Sequence, residues 1–231
     1  MAVVAGYFDF PLVLNLRDQQ VVVVGAGTVG RRKLGNLLRA GARIRLVDPC
    51  LTESPLCSSR IESIGRAYRK EDLRGARLVF ACTDSAAVNG QIVEDARLLG
   101  VFNCCSDNLK VGDFSLPAIL RRGALQITVS TGGGSPALAA LLRDRLAEQV
   151  PDSWGLSVEI MSAVRRKWLT APLRSQYNQQ VLRCFWENRL LPLLDQGKVK
   201  DIDQLLQETF GEAFSLAQLQ VELPEGMPWG P

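Results

Sequence analysis

The stretch Val21-Val-Val-Val-Gly25-Ala-Gly27-Thr-Val-Gly30 decides the fold. Four valines followed by glycine are typical of a strand that is buried on both faces of a parallel sheet. The next residues predict a helix that ends near Gly41, with an inward face of Val29, Leu34, Leu37 and Leu38. Residues 43–47 predict a second strand, which leads directly into Asp48.

This order of elements predicts a dinucleotide site. Gly25 permits the tight turn, Gly27 lets the backbone approach a pyrophosphate, and Gly30 lets the helix pack on the strand. Asp48 lies where an acid binds the ribose and repels a 2′-phosphate, which favours NAD over NADP, although Arg43 and Arg45 nearby favour the reverse. The predicted cofactor-binding residues here are Gly25, Ala26, Gly27, Thr28, Val29, Gly30 and Asp48. The alternative is a purely structural glycine turn.

Strands and helices continue to alternate after this unit. Residues 77–82 predict a strand and residues 88–99 a helix, with Ile92, Val93, Ala96 and Leu99 facing inward. Residues 101–105 predict another strand, so the first part of the chain is expected to be a doubly wound parallel sheet of the Rossmann type. Thr83 and Asp84 follow one of its strands, at the edge where such sheets bind ligands, and are predicted to bind cofactor. Alternatively, they only begin the next turn.

The chain contains no histidine, which restricts its chemistry. Ser-His-Asp hydrolysis and histidine-ligated zinc are excluded, and no metal site is predicted. Proton transfer therefore needs another group, and Asp107, at the end of a predicted strand, is the candidate catalytic base. Asp113 is a competitor, and Ser106 is a candidate for a hydrogen bond to substrate.

The pattern changes in the second half of the chain. Residues 124–130 alternate as in a half-buried strand, and Ser135-Pro136 predicts the start of a helix. The glycine-rich turn between them is either a second anion site or a flexible connector. Four nearby arginines, Arg121, Arg122, Arg143 and Arg145, favour an anion site for a ligand with several carboxylates. The predicted substrate-binding residues are Ser106, Thr131, Gly132, Gly133, Ser135 and Arg121.

Composition limits the remaining possibilities. A net charge of +3 over 231 residues does not indicate a nucleic-acid partner, and no apolar run is long enough to predict a membrane span. The N-terminus does not resemble a secretion signal. The six cysteines form no CxxC pattern, which predicts reduced thiols, mostly buried, in a cytoplasmic protein. Residues 152–194 and 202–214 predict helices, followed by a loose tail over 224–231.

The sequence also resembles the dehydrogenases of siroheme synthesis, namely precorrin-2 dehydrogenase and the matching N-terminal part of siroheme synthase. The resemblance spans residues 7–150 and rests on several segments in consistent order: Phe8–Leu16, Gly25–Gly30, Ala81–Asp84, Asn89, Asn103–Asp107, Asp113–Ala118 and Ser130–Pro136. Of these, the Phe-x-x-Pro-Ala and Gly-rich Ser-Pro segments are specific to that family.

The resemblance implies an NAD-dependent oxidation of precorrin-2 to sirohydrochlorin by a homodimer, with ferrous iron as a further substrate in some members. It implies an NAD-binding domain over 1–115, a central dimerisation region over 116–150 and a small helical domain over 151–231. The family's catalytic aspartate falls on Asp107 when counted from Phe114 but on Ser106 when counted from Asn103, and a family serine falls on Thr131. Two other hypotheses are an NAD-binding regulatory module of a transporter and a dehydrogenase of another polyanionic substrate.

Overall fold

The computed structural model describes residues 9–52, 56–108, 111–170 and 179–223. The chain divides into two compact units, Met1–Leu116 and Pro117–Pro231. The predicted separation of the second unit into a dimerisation region and a helical domain remains a prediction. The predicted loose tail over 224–231 lies outside the described residues.

The first unit is built around a five-stranded parallel sheet with strand order β3-β2-β1-β4-β5. Its elements are β1 (Gln20–Val24), α1 (Thr28–Arg39), β2 (Arg43–Val47), β3 (Ile61–Ile64), a short 3-10 helix (Lys70–Leu73), β4 (Leu78–Ala81), α2 (Ala86–Leu99) and β5 (Phe102–Cys105). The strand β3 was not predicted, because Glu62 and Ser63 at its centre are exposed and interrupt any apolar pattern.

Alternate residues of β1 face opposite sides of this sheet. Val21 and Val23 pack with Leu34 of α1, whereas Val22 and Val24 pack with Ile92 of α2. One helix therefore covers each face, which confirms the predicted doubly wound, Rossmann-type parallel sheet.

Two side chains predicted to face inward do not. Val29 is 39% exposed because it lies in the first turn of α1, beside the open glycine loop. Leu99 is 48% exposed because it is the last residue of α2, directly before the left-handed cap at Gly100. The inward positions Ile92, Val93 and Ala96 are buried as predicted.

A buried carboxylate fixes the connection between β3 and β4. Asp72, only 4% exposed, accepts two hydrogen bonds from the Arg66 guanidinium, at 2.8 and 2.6 Å, and one from the backbone N–H of Arg69. Arg45 of β2 donates to the Asp72 carbonyl at 2.7 Å. Burial alone would raise the pKa of Asp72, but the bonds from Arg66 and Arg69 outweigh it and hold the pKa below its ordinary value.

We expect Asp72→Ala to lower the free energy of unfolding by about 2–3 kcal/mol, because it removes a hydrogen-bonded partner from a partly buried ion pair. Since the folded pKa lies below the unfolded one, this contribution is present above the ordinary aspartate pKa and is lost as the pH falls below it. Urea unfolding at neutral and acidic pH measures both effects. Glu94→Ala, which breaks the exposed pair with Arg97 within α2, is the control and should have a smaller effect. Equal losses in the two variants would contradict this account.

The second unit begins with an antiparallel hairpin of β6 (Ala118–Arg122) and β7 (Leu125–Val129). Helices follow as α3 (Pro136–Ala147), α4 (Asp152–Thr170), α5 (Gln179–Phe185), a π-helical turn (Trp186–Leu190), α6 (Leu191–Asp195), α7 (Val199–Phe210) and α8 (Leu216–Leu219). The half-buried alternation predicted for β7 is confirmed. The helix predicted up to Phe214 ends instead at Phe210, before Gly211.

Of the six cysteines, Cys82, Cys104 and Cys105 are buried in the first unit. Cys50, Cys57 and Cys184 are exposed, so the prediction of mostly buried thiols is wrong for half of them. All six are free thiols. Among the described helices, none combines the length and the apolar character required to cross a bilayer.

Candidate functional site

The candidate site lies at the carboxyl edge of the parallel sheet. Three backbone hydrogen bonds hold the segments that follow β1, β4 and β5 side by side. Gly25 N–H donates to the Val47 carbonyl at 2.9 Å, and Cys82 N–H to the Val24 carbonyl at 2.8 Å. Ser106 N–H donates to the Ala81 carbonyl at 3.0 Å. The residues predicted to bind cofactor and to act as a base therefore share one edge.

Each glycine of the first turn has a distinct role. Gly25 has a φ of +102°, and a Cβ there would overlap the Cys82 carbonyl. A Cβ at Gly30 would overlap the Gly25 carbonyl, so this glycine allows α1 to pack on the turn. A Cβ at Gly27 would meet no atom within 4 Å. Two glycines thus shape the loop, and the third faces open space.

That open space lies in front of the N-terminus of α1. The N-cap residue is Gly27, which provides no side-chain cap, and the first turn carries no acid. In contrast, Ser85 caps α2 by accepting from Val88 N–H, and Ser135 caps α3 by accepting from Leu138 N–H. The first N–H groups of α1 and the positive end of its dipole therefore suit an external pyrophosphate.

Asp48 braces this glycine loop. One carboxylate oxygen accepts from Ala26 N–H at 2.6 Å, and the other accepts from Cys50 N–H at 2.8 Å. Arg31 Nε donates to the Ala26 carbonyl at 2.9 Å, so both the N–H and the carbonyl of Ala26 are hydrogen-bonded. Asp48 is thus placed at the end of β2, next to the loop, as the dinucleotide motif requires. Thr28 is exposed at the open tip of the loop.

The two arginines that favoured NADP are engaged elsewhere. Arg45 pairs with Glu62 at 3.0 Å in addition to its bond to the Asp72 carbonyl. Arg43 Nε donates to the Asp18 carbonyl at 3.1 Å. These contacts lie along β2 and at its start, away from the carboxyl end where Asp48 stands.

Asp107 follows β5 at the same edge and is exposed. Its Oδ1 accepts from the Cys105 thiol at 2.8 Å, and its Oδ2 accepts from Asn89 Nδ2 at 2.9 Å. These two hydrogen bonds, that from Cys105 first, hold the pKa of Asp107 below its ordinary value. The group is therefore an ionised carboxylate near neutral pH, with its orientation fixed by two donors.

The two competitors of Asp107 have other contacts. Ser106 Oγ lies 3.0 Å from the Cys82 thiol, whose pKa burial raises. Asp113 Oδ2 accepts from the backbone N–H of Asn103 at 3.0 Å and also from its side-chain amide. Asp113 therefore ties the segment after β5 back onto the strand, which is a structural role.

Thr83 forms the turn into α2. Its hydroxyl donates to Asn89 Oδ1 at 2.8 Å and accepts from Ser85 N–H at 3.3 Å, whereas Asp84 is exposed at the start of the turn. Asn89, which joins Thr83 to Asp107, has no role in the predictions made from the residues alone. The signal that could have found it is its position on the inward, apolar face of α2, three residues before Ile92.

Hydrogen bonds among its own residues hold the glycine-rich segment of the second unit in place. Thr131 Oγ1 donates to the Ser135 carbonyl at 3.0 Å and accepts from Ser135 N–H at 3.1 Å. Gly132 N–H donates to Ser130 Oγ, and Ser135 Oγ caps α3. Gly133, with a φ of +76°, faces open space. The segment is therefore an ordered turn, which argues against the flexible connector.

Three of the four arginines near this segment form ion pairs within the unit. Arg122 pairs with Asp152 at 3.2 Å and donates to the carbonyls of Ala147 and Val150, so it fixes the junction of α3 and α4. The other two, Arg143 and Arg145, pair with Asp144 and Glu148. These contacts commit Arg122 to the fold and argue against a role in substrate binding, whereas the joint reception of substrate by the four arginines stays a prediction. Arg121 remains a predicted substrate residue.

The fold and this site define a dinucleotide-binding protein of the Rossmann type. In agreement, residues 12–118 match the family model NAD_binding_7, described as “Putative NAD(P)-binding”. Residues 122–149 match the model “Sirohaem biosynthesis protein central”.

Similar proteins extend this assignment. The chain is 33% identical over 208 residues to a siroheme synthase of Nitrosomonas europaea, covering 88% of this chain and 43% of the relative. It is 35% identical over 221 residues to a siroheme synthase of Psychrobacter arcticus, covering 93% of this chain and 37% of that relative. A solved structure titled SirC, precorrin-2 dehydrogenase, shares the fold with a TM-score of 0.68 at 20% identity, covering 87% of this chain and 98% of that one.

The chain is thus similar to siroheme synthases over most of its own length. It spans about two fifths of the length of the curated relatives that it matches.

Proposed function

We propose that this chain catalyses the NAD-dependent dehydrogenation of precorrin-2 to sirohydrochlorin, a step of siroheme biosynthesis. The observation that carries the proposal is the carboxylate of Asp107, held by two donors at the same sheet edge as the open glycine loop. The siroheme synthase relatives supply the substrate class, a tetrapyrrole with many carboxylates.

The residues present fit a nicotinamide dinucleotide. The first-turn N–H groups of α1 would hold the pyrophosphate, Gly27 leaves room for it, and Asp48 lies where the ribose binds. When bound, such a cofactor accepts a hydride from the reduced macrocycle. Asp107 would accept the proton that leaves with that hydride, because it is ionised and exposed.

NAD is the proposed cofactor rather than NADP. The Asp48 carboxylate would repel a 2′-phosphate, and the neighbouring Arg43 and Arg45 are hydrogen-bonded elsewhere. Titration of the purified protein with each dinucleotide tests this preference. We expect a lower Kd for NAD, and a lower Kd for NADP would overturn it. A cytoplasmic location, proposed from the six free thiols, agrees with a dinucleotide-dependent reaction.

Incubation with precorrin-2 and NAD tests the activity, with the spectrum of sirohydrochlorin and the fluorescence of NADH followed together. Formation of both supports the proposal. Binding of NAD without any spectral change would favour a regulatory module, and turnover of a different polyanion would favour another dehydrogenase. Ferrous ion added to the completed reaction tests whether the chain also takes iron as a substrate.

A homodimer is proposed from the surface of α3. Every residue of α3 is described, and Ala139 alone among them is buried. Leu138, Leu141 and Leu142 form an exposed leucine surface on this helix, and Leu141 is 66% exposed. Exposed apolar surface of this kind marks a protein interface, and a second copy of the chain is the occupant that the family resemblance implies.

We expect Leu141→Arg to weaken this association at least tenfold, by about 1.4 kcal/mol or more, because a charge replaces a leucine in the interface. Light scattering after gel filtration, over a range of concentrations, measures the change. Leu98→Arg, at a 73% exposed leucine of α2, is the matched control and should leave the mass unchanged. A Leu141→Arg protein that keeps the dimer mass would exclude the leucine surface as the interface.

A further inference from the structure

We propose that Asn89 is a positioning residue of the site, whose side-chain amide holds the Asp107 carboxylate and the Thr83 backbone in one fixed arrangement. The inference rests on the proposed function for the catalytic role of Asp107. The arrangement itself rests on the contacts of a single buried side chain.

The hydrogen bonds of Asn89 use its whole side chain. Oδ1 accepts from Thr83 N–H at 3.1 Å and from Thr83 Oγ1 at 2.8 Å. Nδ2 donates to the Thr83 carbonyl at 3.0 Å and to Asp107 Oδ2 at 2.9 Å. An amide has two donor hydrogens and two acceptor positions, and these four hydrogen bonds occupy all of them. Asn89 is 1% exposed, so water cannot easily replace a lost bond.

The partners also fix the direction of the amide. If oxygen and nitrogen were exchanged, the oxygen would face two acceptors, the Thr83 carbonyl and the Asp107 carboxylate, and the NH₂ group would face the Thr83 N–H donor. Only one of the two amide orientations satisfies all the partners. Asn89 is therefore specified as a donor toward Asp107 and an acceptor toward Thr83.

Thr83 connects this arrangement to the glycine loop. The Cβ position of Gly25 lies 2.9 Å from Thr83 N, so the loop packs directly on the backbone that Asn89 holds. The α2 helix thus aligns the loop that follows β4 with the carboxylate that follows β5. A displacement of Asp107 by about 1 Å is enough to lower turnover by about 100-fold in a positioned site.

Asn89→Asp removes the two donor bonds of the amide and keeps its two acceptor bonds. The new carboxylate still accepts from Thr83 N–H and Oγ1–H, but it presents an oxygen where the NH₂ group donated to Asp107 and to the Thr83 carbonyl. We expect kcat to fall by about 10- to 100-fold, while the Kd of NAD changes less than about threefold because the Thr83 N–H and hydroxyl still donate to the side chain at position 89. Gln91→Glu makes the same chemical change on the exposed side of α2 and should leave both values unchanged.

Two further measurements separate positioning from a general loss of structure. In an Asp107→Asn background, Asn89→Asp should lower kcat further by less than about threefold, because its effect acts through Asp107. An equal effect in both backgrounds would overturn the proposal. Carboxyl ¹³C NMR of Asp107 gives a readout that requires no substrate.

In the folded Asn89→Asp protein the pKa of Asp107 should rise by about one unit or more, because a like charge replaces a donor. An unchanged titration would overturn the arrangement itself. If the wild-type protein has no precorrin-2 dehydrogenase activity but the titration shifts, the proposed function fails and the arrangement stands. Asn89→Ala, which removes the donor without adding charge, gives the same readout if Asn89→Asp does not fold.

Discussion

Replacing Gly27 with aspartate is expected to abolish dinucleotide binding in a protein that remains folded. Gly27 is the N-cap of α1, and its Cβ position is open. Aspartate is among the preferred N-cap residues, so its carboxylate would accept from the first N–H groups of the helix and stabilise it. Those are the groups that a pyrophosphate needs, and the added negative charge would also repel that anion. Loss of two charge-assisted hydrogen bonds corresponds to an increase in Kd of more than about 100-fold.

Gly35→Asp is the matched control for this experiment. Gly35 also lies in α1, and a Cβ there would likewise meet no atom within 4 Å. Calorimetric titration with NAD should give the wild-type Kd for Gly35→Asp and no measurable heat for Gly27→Asp, with thermal unfolding confirming that both proteins fold. Wild-type affinity in Gly27→Asp would remove the glycine loop from the cofactor site.

The sequence predicted the parallel sheet because its signals are local. The valines of β1, the glycines at 25, 27 and 30, and Asp48 are close along the chain, and the turn requires those residue types. The structure adds what Asp48 contacts, namely Ala26 N–H and Cys50 N–H.

The features that sequence did not predict depend on contacts between distant residues. Asn89 and Asp107 are eighteen positions apart, and only the parallel pairing of β4 with β5 brings them together. Arg122 was interpreted as one of four anion-binding arginines, but it reaches the carbonyls of Ala147 and Val150 from the hairpin. The local sequence pattern does not distinguish an arginine that caps a helix from an arginine that binds a ligand.

The second large effect is expected at Asp107. Asp107→Asn keeps the size of the side chain but removes the group that accepts a proton, so kcat should fall by about 10²- to 10⁴-fold while the Kd of NAD is retained. Two hydrogen bonds keep the pKa of Asp107 below its ordinary value. The wild-type carboxylate is therefore charged at every pH above that ordinary value. The acid limb of the kcat profile should therefore lie below about pH 3.9, the ordinary aspartate value, or be hidden by acid unfolding.

Ser106→Ala, measured in parallel, decides between the two residues on which the family's aspartate falls. We expect it to lower kcat by less than about tenfold, the loss of one hydrogen bond to substrate. Glu94→Gln, which removes an exposed carboxylate of α2 paired with Arg97, should not change kcat. A large loss in Ser106→Ala with full activity in Asp107→Asn would transfer the catalytic role to Ser106, because a serine hydroxyl would then be the group that meets the substrate. Loss in Asp107→Asn alone, with NAD still bound, would place proton removal on a carboxylate and account for an enzyme that has no histidine.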